Sequence, residues 1–581
     1  MRAVTPSLLR FALLAVVLAG APLLGAAAEP APAGPPLELA KITVTDHREL
    51  PPPEAWRYAR IPGFEILSAA PDRETQKLLR DFQLFRLAIG VVWPALQAHP
   101  PVPVSIILCG TGPQFDAFRP AAASPTDAGQ ASLFFKDREH AAIILNFGVK
   151  KIDLTRVQEE APVHEAVTAV DDPDAVAPDP SSAPGYLGVD YYQQLYREYV
   201  RYLLDFQQPR LPAWLEEGLT QLLMGMKVNR RRIEFATIED PNRVSLSGGQ
   251  EDRDFNQVLQ RRGLMPLEEF FAVEHGDPRT RNAFADTWAK QAQGLLHLWL
   301  YGEGRRYNKP FAQFVARSAR EPVTEAMFRE CFGMGYIDML AELRGYIGFT
   351  AYQRQEFRAR KGESLPEPAP LVLRDATGAE VGRIKGEAQG LAGNHGPAHD
   401  ELLAPYVREE RDARLLAALG LSEIRRGDAG RARRFLEAAA QAQVVHPRAY
   451  LELARLRLTE ALPATAGDSA RLTAAQTAAT LQPLLTARRQ LPVLPEVYEL
   501  MAEIWLRSSV HPARPDLAVL NQGVMLFQRR PLLLLRAAEL NGKYGDPAEA
   551  HLIADYGLNL SRTPEARRAF EEIKAALPPK R

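Results

Sequence analysis

Only Cys109 and Cys331 occur in 581 residues, so no disulfide framework can hold this chain and its stability must come from buried cores. Sequence alone does not show that the two thiols meet, and their pairing stays open. Excess charge of one sign is also missing. The 70 basic and 71 acidic residues nearly cancel, whereas a nucleic-acid binder usually shows a basic surplus in its totals. After the N-terminal segment no run reaches the roughly 18 apolar residues of a membrane span. What is present is length, too much for one ordinary core and suited to two or three domains.

Arg2 and Arg10, the apolar run from Phe11 to Leu18 and the small residues Ala26-Ala27-Ala28 predict a secretory signal over 1–28, cleaved near Ala28. No cysteine follows that run, which argues against a lipoprotein anchor. The expected protein is therefore exported, to the periplasm or beyond, and soluble after cleavage. Residues 29–50 are a Pro/Ala-rich linker. From 51 to 350 strands and helices mix. Phe64 to Leu67, Val102 to Leu108 and Ala141 to Phe147 are β-type runs, while Glu74 to Leu96 and Tyr191 to Phe206 have helical spacing, the second behind Asp190 as N-cap. Residues 157–185, acidic and rich in proline, form a solvated insertion. The His164-Glu165 pair inside it has threonine at the fifth position, so it lacks the second histidine of a metal site.

A charged linker over 351–400 is expected to hold a β-hairpin from Leu371 to Arg383, turning at Asp375-Ala376-Thr377-Gly378. From 401 to 581 the chain is helical with a recurring pattern. Leu416/Leu419/Gly420, Tyr450/Leu453/Ala454, Tyr498/Met501/Ala502 and Leu534/Ala537/Ala538 share one spacing, and Gly427-Asp428 and Gly545-Asp546 fall at turns. This resembles tetratricopeptide repeats, or else an ordinary helical bundle. Stacked helix pairs leave a surface suited to a protein or peptide partner.

The chemistry is concentrated in Tyr196-Arg197-Glu198-Tyr199-Val200-Arg201, followed by Leu211-Pro212-Ala213-Trp214-Leu215-Glu216-Glu217-Gly218. An H-E-x-x-H helix holds zinc through two imidazoles four residues apart on one face, and its Glu acts as general base. The segment resembles the peptidase-MA-like gluzincins, zinc metallopeptidases in which such a helix precedes a P-x-W-L-x-E-G element. The resemblance covers about 55–350. It implies an α+β, thermolysin-type domain with a small mixed sheet and a helical subdomain, ahead of the all-α repeats. It also implies a general-base position at Glu198 and a third-ligand position at Glu217, and Trp214 of the same element is expected to be a binding residue.

The departure falls on the metal ligands. Arg197 and Arg201 replace both imidazoles, and a guanidinium has five donors and no lone pair for a metal. One carboxylate does not hold catalytic zinc against water, so zinc is expected to be lost and Glu198 to be a vestigial base. Of the remaining histidines, His297 sits on an apolar helix face as a core residue. His275 and His140 lie in charged loops without partners at ligand spacing. Two carboxylates left in a closed cleft need counter-charge, which predicts an ionic plug: one arginine on Glu217, the other side chain on Glu198. The leading expectation is a catalytically silent binding scaffold with no cofactor. The alternatives are a hydrolase that uses Glu198 as base at an atypical site, and an anion site built on the paired arginines.

Overall fold

The computed structural model describes residues 54–577 apart from 97–101, 122–130, 149–150, 154–185, 189, 208–209, 237–262, 278–279, 281–286, 349–354, 361–362 and 463–469. The expected signal segment, the expected linker over 29–50 and the expected acidic insertion with His164 lie outside the described residues.

The apolar runs form one six-stranded sheet. Its strands are β1 (Arg57–Ile61), β2 (Phe64–Ser68), β3 (Val104–Cys109), β4 (Ser132–Lys136), β5 (Ala141–Asn146) and β6 (Arg374–Asp375), in the order β6-β1-β2-β3-β5-β4. The central β2, β3 and β5 are parallel and the outer pairings are antiparallel. β3 and β5 are buried along their whole length, as expected of parallel strands covered on both faces. Alternation assigns each residue to one cover. Ile66, Ile106, Ile143 and Leu145 pack with helices α1 (Asp72–Val92) and α2 (Tyr191–Asp205). Leu67, Ile107, Ala142 and Ile144 face the other way, against Ile384 and Ala388 of helix α5 (Gly378–Leu391). Helices α3 (Ala213–Met224) and α4 (Thr287–Tyr301) pack on each other and extend the first core.

The expected hairpin at Leu371–Arg383 is not formed. Arg374 and Asp375 pair with β1 instead, and the chain then enters α5. The reason is local: Thr377 accepts from the Glu380 backbone N–H while the Glu380 side chain accepts from that of Thr377. This reciprocal capping box starts a helix, so the Asp375-to-Gly378 turn is a helix entry. The helical repeats consequently begin at 378 rather than 401. In the supposed linker, Gln355–Arg358 also pairs as a strand with Arg232–Phe235.

Helices then follow in pairs: α5 with His395–Val407, Ala413–Arg426 with Ala429–Gln441, Pro447–Ala461 with Ala474–Ala487, Pro495–Leu506 with Arg514–Leu526, and Pro531–Tyr544 with Pro547–Leu560. Pro564–Ala576 closes the array. Gly427, with φ 84°, ends one helix in the left-handed region and Asp428 caps the next; glycine takes that conformation without a Cβ clash. A Cβ on Gly420 would lie 2.7 Å from Leu436, so the small residue in the recurring pattern marks where paired helices approach closest. Cys109 and Cys331 are separate free thiols. No described helix is long and apolar enough to cross a membrane.

Candidate functional site

Helix α2 starts because the Asp190 carboxylate accepts from the backbone N–H groups of Tyr192 and Gln193. One side of it is aromatic: Tyr196 stacks on Phe85, and Tyr199 meets Phe64 and Phe82 edge-on. The opposite stripe, at helical spacing, is polar: Gln194, Arg197, Glu198, Arg201 and Asp205. It is turned toward the edge strand β4 on one side and toward α3 on the other. Lys136 of β4 pairs with Asp205.

Arg197 lies between two carboxylates. Its Nη1 donates to Glu198 Oε1 at 2.8 Å, and its Nη2 stands 3.8 Å from Glu217 Oε2. Arg201 Nη1 donates to the other Glu198 oxygen at 3.4 Å, and the Ser132 hydroxyl of β4 donates to Oε1 at 2.8 Å. Gln221, one turn beyond Glu217, donates to Glu217 Oε1 at 2.8 Å. Arg197, Glu198 and Glu217 are all buried. Burial pushes the Glu198 carboxyl up, but Arg197, Arg201 and the Ser132 hydroxyl outweigh it and hold the group below the usual carboxylate range. The carboxylates of Glu198, Glu217 and Glu216 in turn outweigh burial at Arg201 and strengthen its hold on its proton.

The second carboxylate of the Glu216-Glu217 pair has its own partner. His275 Nε2 stands 2.9 Å from Glu216 Oε2, and Arg210 Nε lies 3.9 Å from the same oxygen. Burial raises the Glu216 carboxyl, while the His275 hydrogen bond with Arg201 and Arg210 brings it below its ordinary value. Arg201, Arg210, Ala213, Glu216, Glu217 and His275 line a solvent-open cleft of about 330 Å³. His275 thus pairs with a single carboxylate, a contact that metal-ligand spacing does not address. Glu216 carried the only available signal, as a second acid in the W-L-x-E-G element.

Trp214 is not part of this cleft. It is buried among Phe271, Trp299 and Phe314, so its role is core packing and the expected ligand contact is withdrawn. The Gly218 of the same element has a steric reason: a Cβ there would come 3.0 Å from the Ala292 carbonyl and 3.1 Å from Leu296, which sets the close approach of α3 and α4. His297 is buried, with Nδ1 2.6 Å from the Tyr346 hydroxyl and Nε2 2.9 Å from the Ala236 carbonyl, a satisfied core histidine. His140 pairs with Ser105 at 3.0 Å, away from the cleft. Among the described residues no group of three His, Cys, Asp or Glu side chains is arranged to hold a metal.

No family model matches the chain. No curated protein matches it. Several solved structures align with parts of it, two among them as follows. One, from a functional characterisation of Pseudomonas aeruginosa pilF, has 15% identity and a TM-score of 0.25, over 34% of this chain and 88% of that one. The other is the C-terminal part of a TPR repeat-containing protein from Cytophaga hutchinsonii, with 12% identity and a TM-score of 0.24, over 48% and 93%. At such scores the likeness carries no inference, and the helix pairs rest on their own packing.

Proposed function

We propose that the chain is an exported, metal-free relative of the gluzincin peptidases, kept as a protein- or peptide-binding scaffold, with its helix pairs acting as tetratricopeptide-like repeats. The observation that carries this reading is the guanidinium of Arg197 set between Glu198 and Glu217. In a zinc peptidase these carboxylates serve as base and ligand around a cation. Here arginine supplies the positive charge, and it has no lone pair to bind a metal and no bound water to activate. Glu198 is also a poor base in this setting. It is held charged by two guanidinium groups and a hydroxyl, whose attraction would weaken on its taking a proton.

Binding does not need the metal. β4 is the last strand of its sheet and has no partner on its outer side among the described residues, so its backbone groups can pair with an extended peptide. The helix pairs give a second surface of the kind used for protein partners. Secretion to the periplasm or medium belongs to the same proposal and rests on the N-terminal sequence pattern. The test is to incubate the purified full chain with a diverse peptide mixture, with and without added zinc, and to read cleavage by mass spectrometry. The scaffold reading expects intact peptides in both arms. Cleavage abolished by Glu198→Gln would establish instead a hydrolase using Glu198 as base.

A further inference from the structure

We infer that the cleft beside α2 captures the terminal carboxylate of a peptide on the outward edge of Arg201; the inference rests on the peptide-scaffold reading above. The two arginines of the R-E-x-x-R helix are not equivalent. Arg197 is buried and shared between two carboxylates. Arg201 is a quarter exposed and makes one hydrogen bond among the described residues, a 3.4 Å contact through Nη1. Its Nε and Nη2 donors have no partner there, and the side chain lines the cleft. A guanidinium presenting Nε–H and Nη2–H together offers the parallel fork that a carboxylate accepts bidentately.

The surroundings decide the class of anion. Arg197, Arg201, Arg210 and Lys136 balance Glu198, Glu216, Glu217 and Asp205 one for one, so the site has no surplus positive field to hold a dianion. Phosphate would bring two uncompensated charges next to Glu216 and Glu217. A carboxylate brings one and matches the fork. Both glutamates are already engaged, Glu217 by Gln221 and Arg197 and Glu216 by His275, which leaves Arg201 as the donor in want of an acceptor. Arg210, with its side chain 52% exposed, stands at the same cleft. So does Ala213, the first residue of α3, where the positive end of the helix dipole adds a favourable term. The chain leading to the peptide's carboxylate has a neighbouring track in β4, whose Ser132 and Lys136 touch the same polar stripe of α2.

The experiment immobilises the full chain and passes over it a random pool of short peptides made in two forms, free acid and C-terminal amide. The retained fraction is read by mass spectrometry for the wild type, Arg201→Gln, Arg201→Lys and Arg210→Gln, with thermal unfolding as the folding control. The expected result is a roughly tenfold or greater preference for the free acid, the worth of one charge-assisted pair. It should vanish in Arg201→Gln, recover partly in Arg201→Lys and weaken in Arg210→Gln, which removes the ion pairs of Arg210 with Asp205 and Glu216. Equal retention of acid and amide would overturn the carboxylate site and leave the scaffold reading standing. Displacement of the retained peptides by inorganic phosphate as effective as displacement by acetate would show a general anion site and also overturn it. No retention of either form would remove both.

Discussion

Arg197 is the residue on which the site's charge balance turns. Replacing it by methionine keeps most of the volume but leaves Glu198 and Glu217 buried with one bridging cation fewer. Breaking a buried pair by removing one partner costs about 3–5 kcal/mol. Arg197→Met should therefore lose that much stability in urea unfolding, and adding Glu217→Gln should restore a measurable part. If Arg197→Met were neutral, the arginine would not be holding the two carboxylates. Much of this cluster is legible in the sequence, because Arg197, Glu198 and Arg201 lie on one helical face and Glu217 belongs to a recognisable element. Ser132, Gln221 and His275 are not legible as partners. Ser132 and His275 reach the site from elements far along the chain, and Gln221 looks like an ordinary helix residue. Trp214 was misleading for the opposite reason, since an indole in a motif is as good a core side chain as a contact residue.

At the scale of elements, the seam between α3 and α4 is the joint that holds Glu216 and Glu217 in place. Gly218 permits the approach, and an added Cβ would press on a backbone carbonyl at 3.0 Å, a neighbour that cannot turn aside as a side chain can. Overpacking of this kind costs about 1–3 kcal/mol, against a helix-propensity gain for alanine of up to about 1 kcal/mol. Gly218→Ala should thus be net destabilising by about 1–2 kcal/mol in denaturant unfolding; a stabilised variant would mean that the two helices are not fixed by this contact. The helices themselves were readable from Asp190 as cap and from their periodicity. The hairpin expected around Thr377 failed because Asp375-to-Gly378 has turn composition, and only the Thr377–Glu380 capping pair distinguishes a helix entry from a hairpin turn. That one misreading also displaced the start of the repeats.

Over the whole molecule, α5 is both the first repeat helix and the second cover of the sheet, which is why the two parts share a core instead of being tethered. Ion pairs of Glu65 in β2 with Arg383 and Arg414 reinforce the joint, and Glu139, in the turn between β4 and β5, lies 2.9 Å from Arg448. Burial raises the Glu139 carboxyl to about 7 against the attraction of Arg448, with Asp137, Glu496 and Glu452 adding to the rise. A carboxyl raised on folding binds its proton more tightly in the folded state. Its contribution is complete below the ordinary value of 4.5 and is lost as pH rises through about 7. Glu139→Gln should flatten the fall of Tm across that window; an unchanged profile would show that Glu139 does not titrate at the joint. None of this was visible in sequence, where the region around 351–400 looked like a spacer.

The account's central claim, that arginine now stands in for a lost metal, is tested most directly by counting zinc per chain after purification in zinc-containing buffer and desalting, on the wild type and on the Arg197→His, Arg201→His double variant. It predicts no stoichiometric zinc in the wild type and one zinc per chain in the variant, held by the two imidazoles and Glu217. One zinc per chain in the wild type would contradict it.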